Sequence, residues 1–118
     1  AAGIAVYPLE EVPRTNGGYV PQCLDERHDP LACSVPVGKA MPASRPLFVA
    51  ARGYAESGQP GSVQLIRLRD QFCDAVRCYV VVGRMLVYRD YSHLTKEYAE
   101  ALVPFIDRQL PADITTHR

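Results

Sequence analysis

The sequence has no excess of charge of either sign. Its 118 residues include 13 Lys plus Arg and 13 Asp plus Glu, and like charges do not gather in long runs. Proteins that bind nucleic acid normally carry a basic face, so no nucleic-acid partner is expected. Apolar runs are also short, and none approaches the roughly 18 residues that a membrane-spanning helix requires. The sequence therefore predicts no membrane span within these residues.

An initiating methionine and a signal-peptide pattern are also missing. The chain begins with Ala1, and no basic segment followed by a long apolar stretch comes near its start. A length of 118 residues fits one domain or a large part of one. We therefore expect residues 1–118 to be a single domain, or the C-terminal portion of a domain that belongs to a longer protein.

Four cysteines form two close pairs. Nine residues separate Cys23 from Cys33, and four separate Cys73 from Cys78. The even number and the pairing favour two local disulfides over free thiols or a metal site, because zinc sites usually combine shorter cysteine gaps with matched histidines. Each disulfide would add about 2–3 kcal/mol by loop-closure entropy. With the cysteines paired in disulfides, no metal site is expected. Because disulfides persist outside the cytosol, the location is expected to be extracytoplasmic.

The apolar and turn patterns predict an α/β fold. The opening run "AAGIAV" favours a buried parallel strand that ends near Pro8, and residues 14–46 predict a long irregular loop stapled by the first cysteine pair. The sequence then predicts a helix over 44–58 capped by Ser44, and a strand over 62–68 with Val63, Leu65 and Ile66 inward. A β-hairpin with a type II′ turn at Gly83-Arg84 and a C-terminal helix capped by Thr95 complete the pattern.

The sequence predicts few strands, so the first strand has few others with which it could pair. A buried parallel strand needs partners on its edges and helices over its faces. We therefore expect an unpaired edge and an exposed apolar face, which would pair with a second copy of the chain or with a separate N-terminal piece. A homodimer is one form that this pairing would take.

An aspartate and a histidine lie three residues apart in "VYRDYSHLT", just before the last helix. In open α/β sheets, ligands bind beyond the carboxyl ends of the strands, where Asp90 and His93 are expected. A carboxylate that accepts the proton of Nδ1 fixes the tautomer of an imidazole and leaves Nε2 as a base, as in a Ser-His-Asp triad. An ordinary helix-capping aspartate beside a surface histidine would give the same spacing. The other histidines, His28 and His117, lie in a charged loop and next to the chain end.

The surroundings of this pair carry a family resemblance. The chain contains "AVYPLEEVPR", then Cys23 and Cys33, then "LRDQFCDAVRC", and finally a Tyr-Arg-Asp-x-x-His-Leu-Thr block at 88–95. These parts, in this order, resemble the C-terminal block of SGNH-type (GDSL-like) domains. They are most similar to the domains fused behind multispan membrane acyltransferases that O-acylate bacterial cell-envelope glycans.

The resemblance implies a fold, a site and partners. The fold would be part of an SGNH-hydrolase-like three-layer arrangement, with a short parallel sheet, a β-hairpin and a C-terminal helix. Asp90 and His93 would be the catalytic pair within the segment 85–110, and Arg89 and Tyr91 would line the acceptor site. The partners would be an acyl donor and a glycan hydroxyl, without a metal or organic cofactor. A transmembrane acyltransferase domain would tether the protein to the inner membrane, facing the periplasm or cell surface.

The nucleophile of that family has no counterpart here. The family's serine lies in a Gly-Asp-Ser block, and none of the five serines of this chain follows Gly-Asp. The one asparagine, Asn16, lies in a turn-like "TNGG" and does not match the family's oxyanion-hole block. The resemblance therefore implies that the serine is supplied by an upstream segment and that this chain alone is inactive.

A second function fits the sequence without catalysis. The segment 20–43, which the first disulfide would staple, carries side chains of the kind normally exposed to solvent: Asp25, Glu26, Arg27 and His28. Charged loops on a disulfide frame often bind glycans or proteins. A native protein without the Gly-Asp-Ser block would favour this non-catalytic extracytoplasmic module. A Gly-Asp-Ser block just upstream would favour the enzyme.

Overall fold

The structure is a computed structural model of the chain, and it describes residues 3–112. Its first sheet is a parallel pair between β1 (Ala5–Val6) and β3 (Ser62–Val63). Ile66 N donates to Pro8 O at 2.8 Å, and Glu10 N donates to Ile66 O at 2.9 Å. β1 therefore ends at Val6, near Pro8 as predicted, although pairing with the chain around Ile66 continues beyond it, because proline removes only its own donor from the ladder.

The start of this sheet needs glycine on both strands. A Cβ on Gly3 would lie 2.0 Å from Gly61 N, and Gly61 has a φ of 93° that other residues rarely adopt. The strands are parallel as predicted, but the predicted burial of the first one is wrong. Ile4 is 80% exposed and Val6 is 48% exposed, because the residues that the structure describes place no layer over them.

The segment 14–46 is not the irregular loop that its prolines suggested. It contains α1 (Val20–Arg27), a 3₁₀ turn (Pro30–Cys33), β2 (Val35–Pro36) and α2 (Val37–Ala40). Two prolines begin helices here, where a missing N–H costs nothing. The predicted disulfide Cys23–Cys33 is confirmed and ties α1 to the 3₁₀ turn.

The next helix, α3 (Pro46–Glu56), begins one residue later than predicted. Its N-cap is Arg45, and Ser44 makes no capping bond. Arg45 is 4% exposed, and its guanidinium donates to Val12 O at 2.8 Å and pairs with Glu11 at 3.5 Å. The buried guanidinium fixes this residue at the start of the helix, so the predicted Ser44 cap is wrong.

The strand after α3 also differs from the prediction. Only Ser62–Val63 is a regular strand, followed by an isolated bridge from Leu9 to Ile66. Ile66 and Leu68 are buried in the core, whereas Val63 and Leu65 are half-buried on the opposite face. Ile66 and Leu68 therefore form the inward face. The prediction of Val63 and Leu65 as inward residues is wrong, and that of Ile66 is confirmed.

The C-terminal part follows the sequence prediction closely. Cys73 and Cys78 form the second disulfide, next to β4 (Arg77–Cys78), which pairs antiparallel with β2. β5 (Val81–Val82) and β6 (Met85–Leu86) form the predicted hairpin, and Gly83 has the positive φ, 61°, that a type II′ turn requires. Thr95 caps α4 (Lys96–Asp107), as predicted. The main core contains Val20, Cys33, Ile66, Leu68, Phe72, Val80, Val87, Tyr88, Tyr98 and Leu102.

Helices and small sheets are therefore mixed along the chain, consistent with part of an α/β domain. Between residues 3 and 112 the strands form three separate two-stranded sheets. No helix within that range has the length and apolar character needed to cross a membrane.

Candidate active site

The Asp-His pair lies in a closed loop between the hairpin and α4. Tyr88 and Leu94 form an antiparallel bridge, and Arg89 N donates to His93 O at 2.9 Å. The loop between them is therefore held at both ends by backbone contacts. This arrangement brings Asp90 and His93 onto one side of a tight turn, as the three-residue spacing predicted.

Two buried side chains anchor the loop to the core. Tyr88 is 2% exposed and donates its hydroxyl to Pro13 O at 2.9 Å. Burial raises the pKa of Tyr88 well above its ordinary value, so the phenol stays a proton donor. Thr95 donates to Leu86 O at 2.6 Å and accepts from Tyr98 N at 3.2 Å, which joins the hairpin to the start of α4.

The carboxylate of Asp90 holds His93 by both its backbone and its ring. His93 Nδ1 lies 2.9 Å from Oδ2 and 3.1 Å from Oδ1 of Asp90. Oδ1 also accepts hydrogen bonds from the backbone N–H of Ser92 at 2.9 Å and of His93 at 2.8 Å. Nδ1 is therefore the ring nitrogen that carries a proton towards the carboxylate.

Hydrogen bonds keep Asp90 ionised. The backbone N–H groups of Ser92 and His93, together with the His93 ring, lower the pKa of Asp90 from 3.8 to about 2. Asp90 is thus a carboxylate at any physiological pH and can orient an imidazole without competing for its proton.

The other ring nitrogen of His93 faces solvent. The side chain of His93 is 68% exposed, against 30% for Asp90, and Nε2 has no hydrogen-bond partner within residues 3–112. All five serines of the chain lie in this range, and none of their hydroxyls bonds to His93. Ser34 is buried against Arg77, Ser57 caps α3, and Ser92 donates its backbone N–H to Asp90. The site therefore contains an oriented, open imidazole without a nucleophile beside it.

Arg89 and Tyr91, the residues predicted to line an acceptor site, lie on either side of Asp90 in the chain. Both side chains are exposed, and Tyr91 is 58% exposed. Tyr19 was not predicted from the sequence; its ring meets that of Tyr91 edge to face at a centroid distance of 5.5 Å. An aromatic residue directly after Gly17-Gly18 in a polar loop was the one signal that would have pointed to it.

Within residues 3–112 the structure contains no cluster typical of a metal centre. In the described range, no three His, Cys, Asp or Glu side chains gather closely enough to hold an ion. All four cysteines are engaged in disulfides.

Comparison with family models found a match. The model of the SGNH domain that is fused to AT3 domains matches residues 1–108, which is most of the chain. The chain belongs to this SGNH family. Comparisons with curated proteins and with solved structures found no match. The family shows that this SGNH domain is an acyltransferase-associated module, and the resemblance carried by its Tyr-Arg-Asp-x-x-His-Leu-Thr block is confirmed.

Proposed function

We propose that this SGNH domain supplies the Asp-His half of a serine-dependent O-acyltransferase or esterase that acts on cell-envelope glycans. The observation that supports this most directly is the bonding of His93, with Nδ1 against the Asp90 carboxylate and Nε2 open. Asp90 would act as the positioning residue and His93 as general base and acid. Arg89 and Tyr91 would line the acceptor side.

The reaction proceeds in two balanced steps. A serine hydroxyl from a preceding segment attacks the carbonyl carbon of the acyl donor, and Nε2 of His93 takes its proton. The tetrahedral intermediate then expels the donor's leaving group, which receives that proton, and an acyl-serine remains. In the second step a sugar hydroxyl loses its proton to Nε2 and attacks the acyl-serine. The bond to the serine oxygen then breaks, that oxygen takes the proton back from Nε2, and the O-acylated glycan is released. Water is the competing acceptor, and its attack gives hydrolysis.

The preceding segment would dock on β1. The backbone groups of Ala5, Tyr7 and Leu9 alternate away from β3 and have no hydrogen-bond partner within residues 3–112. The adjoining face is an apolar groove of about 570 Å³, which includes Ile4, Val6, Leu47, Ala51 and Val63. A strand added at this edge would satisfy the ladder and cover the groove. Added strands of this kind would complete the three-layer SGNH arrangement.

The location would be extracytoplasmic, with the domain tethered by a transmembrane acyltransferase domain. Two disulfides within the chain and the fusion of this family to AT3 domains support this. The acyl donor would then arrive from the membrane side, and the glycan from the envelope.

Labelling with a fluorophosphonate tests the proposal. The probe forms a stable bond with a serine that a histidine has activated. In the protein extended through its preceding segment, we expect one labelled serine upstream of Ala1. His93→Ala should abolish the labelling, and the matched variant His28→Ala should keep it. Labelling that persists in His93→Ala, or that falls on Ser34, Ser44, Ser57, Ser62 or Ser92, would rule the proposal out.

The non-catalytic binding module is the second candidate. It is favoured by the exposed charges of α1, on which Asp25, Glu26 and Arg27 are open to solvent. An extended protein that reacts with no serine probe, yet binds an envelope saccharide through α1, would support this function instead.

A further inference from the structure

Two exposed tyrosines form an aromatic pair at the loop that carries Asp90 and His93. Tyr19 is 40% exposed and Tyr91 is 58% exposed, and their rings meet at 70°. Tyr91 is two residues from His93 along the same closed loop. Two exposed aromatic rings in contact present a small apolar patch to solvent, a feature often found at ligand-binding sites.

The loop that carries Tyr19 is bonded to the loop of the Asp-His pair. Thr15 Oγ1 donates to Tyr91 O at 2.7 Å, and Val20 N donates to Asp90 O at 3.3 Å. The same Val20 begins α1 and is buried in the core. Hydrogen bonds before and after Tyr19 in the chain therefore fix the position of its backbone relative to Asp90.

A polar groove continues from Tyr19 along α1. It measures about 440 Å³, and Asn16, Gln22, Glu26 and Arg27 contribute its polar side chains. Gln22 Nε2 donates to Glu26 Oε1 at 2.8 Å. Because only one oxygen of Glu26 is used by this bond, its second oxygen and the Gln22 carbonyl remain acceptors towards the groove. The Cys23–Cys33 disulfide holds the helix that carries these groups.

An aromatic face beside planar amide, carboxylate and guanidinium groups has the chemistry of a sugar site. The C–H faces of a pyranose ring pack on the negative face of an aromatic ring, while its hydroxyls pair with fixed donors and acceptors. The groove carries both signs of charge, at Glu26 and Arg27, which suits a neutral sugar better than a polyanion.

We propose that Tyr19 and Tyr91, together with the groove along α1, form the subsite that binds the neutral pyranose acceptor next to His93. This inference rests on the proposed function for its role in catalysis, but the binding itself needs no catalysis. Tyr19 and Tyr91 stack the sugar rings, and Gln22, Glu26 and Arg27 bind the hydroxyls. The stapled segment 20–43 thereby determines which glycan is acylated.

Saccharide binding to the chain tests this subsite. Chitotetraose and maltotetraose serve as probes, followed by chemical-shift changes in NMR spectra of the labelled chain. We expect shifts centred on Tyr19, Tyr91 and the exposed face of α1 with at least one of the two. Tyr19→Ala should weaken that binding about fivefold or more, since one stacked aromatic contact is lost. Tyr19→Phe keeps the ring and should bind within about twofold of wild type.

Two matched variants complete the design. Tyr54 has the same 40% exposure as Tyr19 but lies on α3, so Tyr54→Ala should bind the saccharide as wild type does. The chain has no tryptophan, so Tyr19→Trp adds a single indole whose emission should shift on saccharide addition. Unperturbed spectra with both saccharides, or equal affinity in Tyr19→Ala, would overturn the proposal. A separate groove of about 770 Å³ is lined by residues that include Glu10, Asp70 and Arg108, and shifts centred there would also overturn the proposal.

A kinetic readout separates this proposal from the proposed function. In the extended protein, Tyr19→Ala should lower the ratio of acyl transfer to hydrolysis about fivefold or more, with Tyr19→Phe near wild type. Loss of serine labelling in His93→Ala, together with normal saccharide binding, would support the catalytic proposal. Saccharide binding without any labelled serine would leave the subsite standing and remove the catalytic assignment alone.

Discussion

One ring nitrogen of His93 lies against the Asp90 carboxylate and the other faces solvent. This difference determines what the site can do chemically. The spacing of Asp90 and His93 predicted their contact, because a three-residue turn brings both side chains to one side. The position of Tyr19, the aromatic partner of Tyr91, was not predictable in this way. Its contact with Tyr91 depends on a hydrogen bond across 76 residues, from Thr15 to Tyr91, and no local pattern encodes that.

The tautomer of His93 should respond to Asp90. In the neutral ring we expect the proton on Nδ1, where the carboxylate accepts it. Asp90→Asn replaces this acceptor by an amide that can turn its NH₂ group to the ring, so the Nε2-protonated form should gain population. Nitrogen–proton correlation NMR of the imidazole distinguishes the two forms. His28, which is remote from the substitution in sequence, is the internal control, and an unchanged tautomer at His93 would contradict the geometry described here.

Acid stability should depend on two aspartates. The Tyr79 hydroxyl and the backbone N–H groups of Arg77 and Val76 lower the pKa of Asp74 from 3.8 to about 2, and that of Asp90 is also about 2. A carboxylate whose pKa is lower in the folded than in the unfolded protein stabilises the fold at pH values above its unfolded-state pKa. This stabilisation is lost as the pH falls towards the folded-state pKa. Urea unfolding between about pH 5 and pH 2 should therefore show a smaller loss of stability for Asp74→Asn than for wild type. Parallel curves would contradict the prediction.

At the level of elements, the sequence predicted those with strong local signals. The hairpin at Gly83, the helix capped by Thr95 and both disulfides follow from turn chemistry, capping and cysteine spacing. The helices inside 14–46 did not, because proline in that segment was taken to break structure where it begins helices. Of the strand residues predicted to point inward, Ile66 is buried but Val63 and Leu65 are not, because apolar residues lie on both faces and only the packing of the core decides between them.

Thr95 is the polar residue that fixes the start of α4. Its hydroxyl both caps the helix and bonds to Leu86 O, and the residue is 9% exposed. Thr95→Ala removes both bonds and should lower the free energy of unfolding by about 1–2 kcal/mol. Thr95→Ser keeps the hydroxyl and should lose less than half as much. Chemical denaturation measures both variants, and an equal loss in the two would show that the methyl group is what matters.

At the scale of the whole molecule, the chain is more extended than a compact domain of its length. Its radius of gyration is 16.4 Å, against roughly 13–14 Å for a compact chain of this size. The exposed edge of β1 and the apolar groove beside it account for part of this, since a compact domain would cover them. This shape supports the proposed docking of a further segment, which the sequence anticipated from the shortage of strands.

The exposed edge should drive self-association when no other segment covers it. We expect the chain to form dimers in sedimentation experiments at high concentration. Val6→Lys places a charge in the apolar groove and should return the chain to monomers. Val76 is 67% exposed and lies away from β1, so Val76→Lys should leave dimers intact. A wild-type monomer at every concentration would show that the edge does not pair with a second copy.

The central claim is that Nε2 of His93 moves the proton of a serine that lies outside residues 1–118. Hydrolysis of an aryl acetate by the protein extended through its preceding segment tests it most directly, as kcat/KM for wild type, His93→Ala and His28→Ala. We expect a loss of about a thousandfold or more for His93→Ala and wild-type rates for His28→Ala. Wild-type activity in His93→Ala would contradict it.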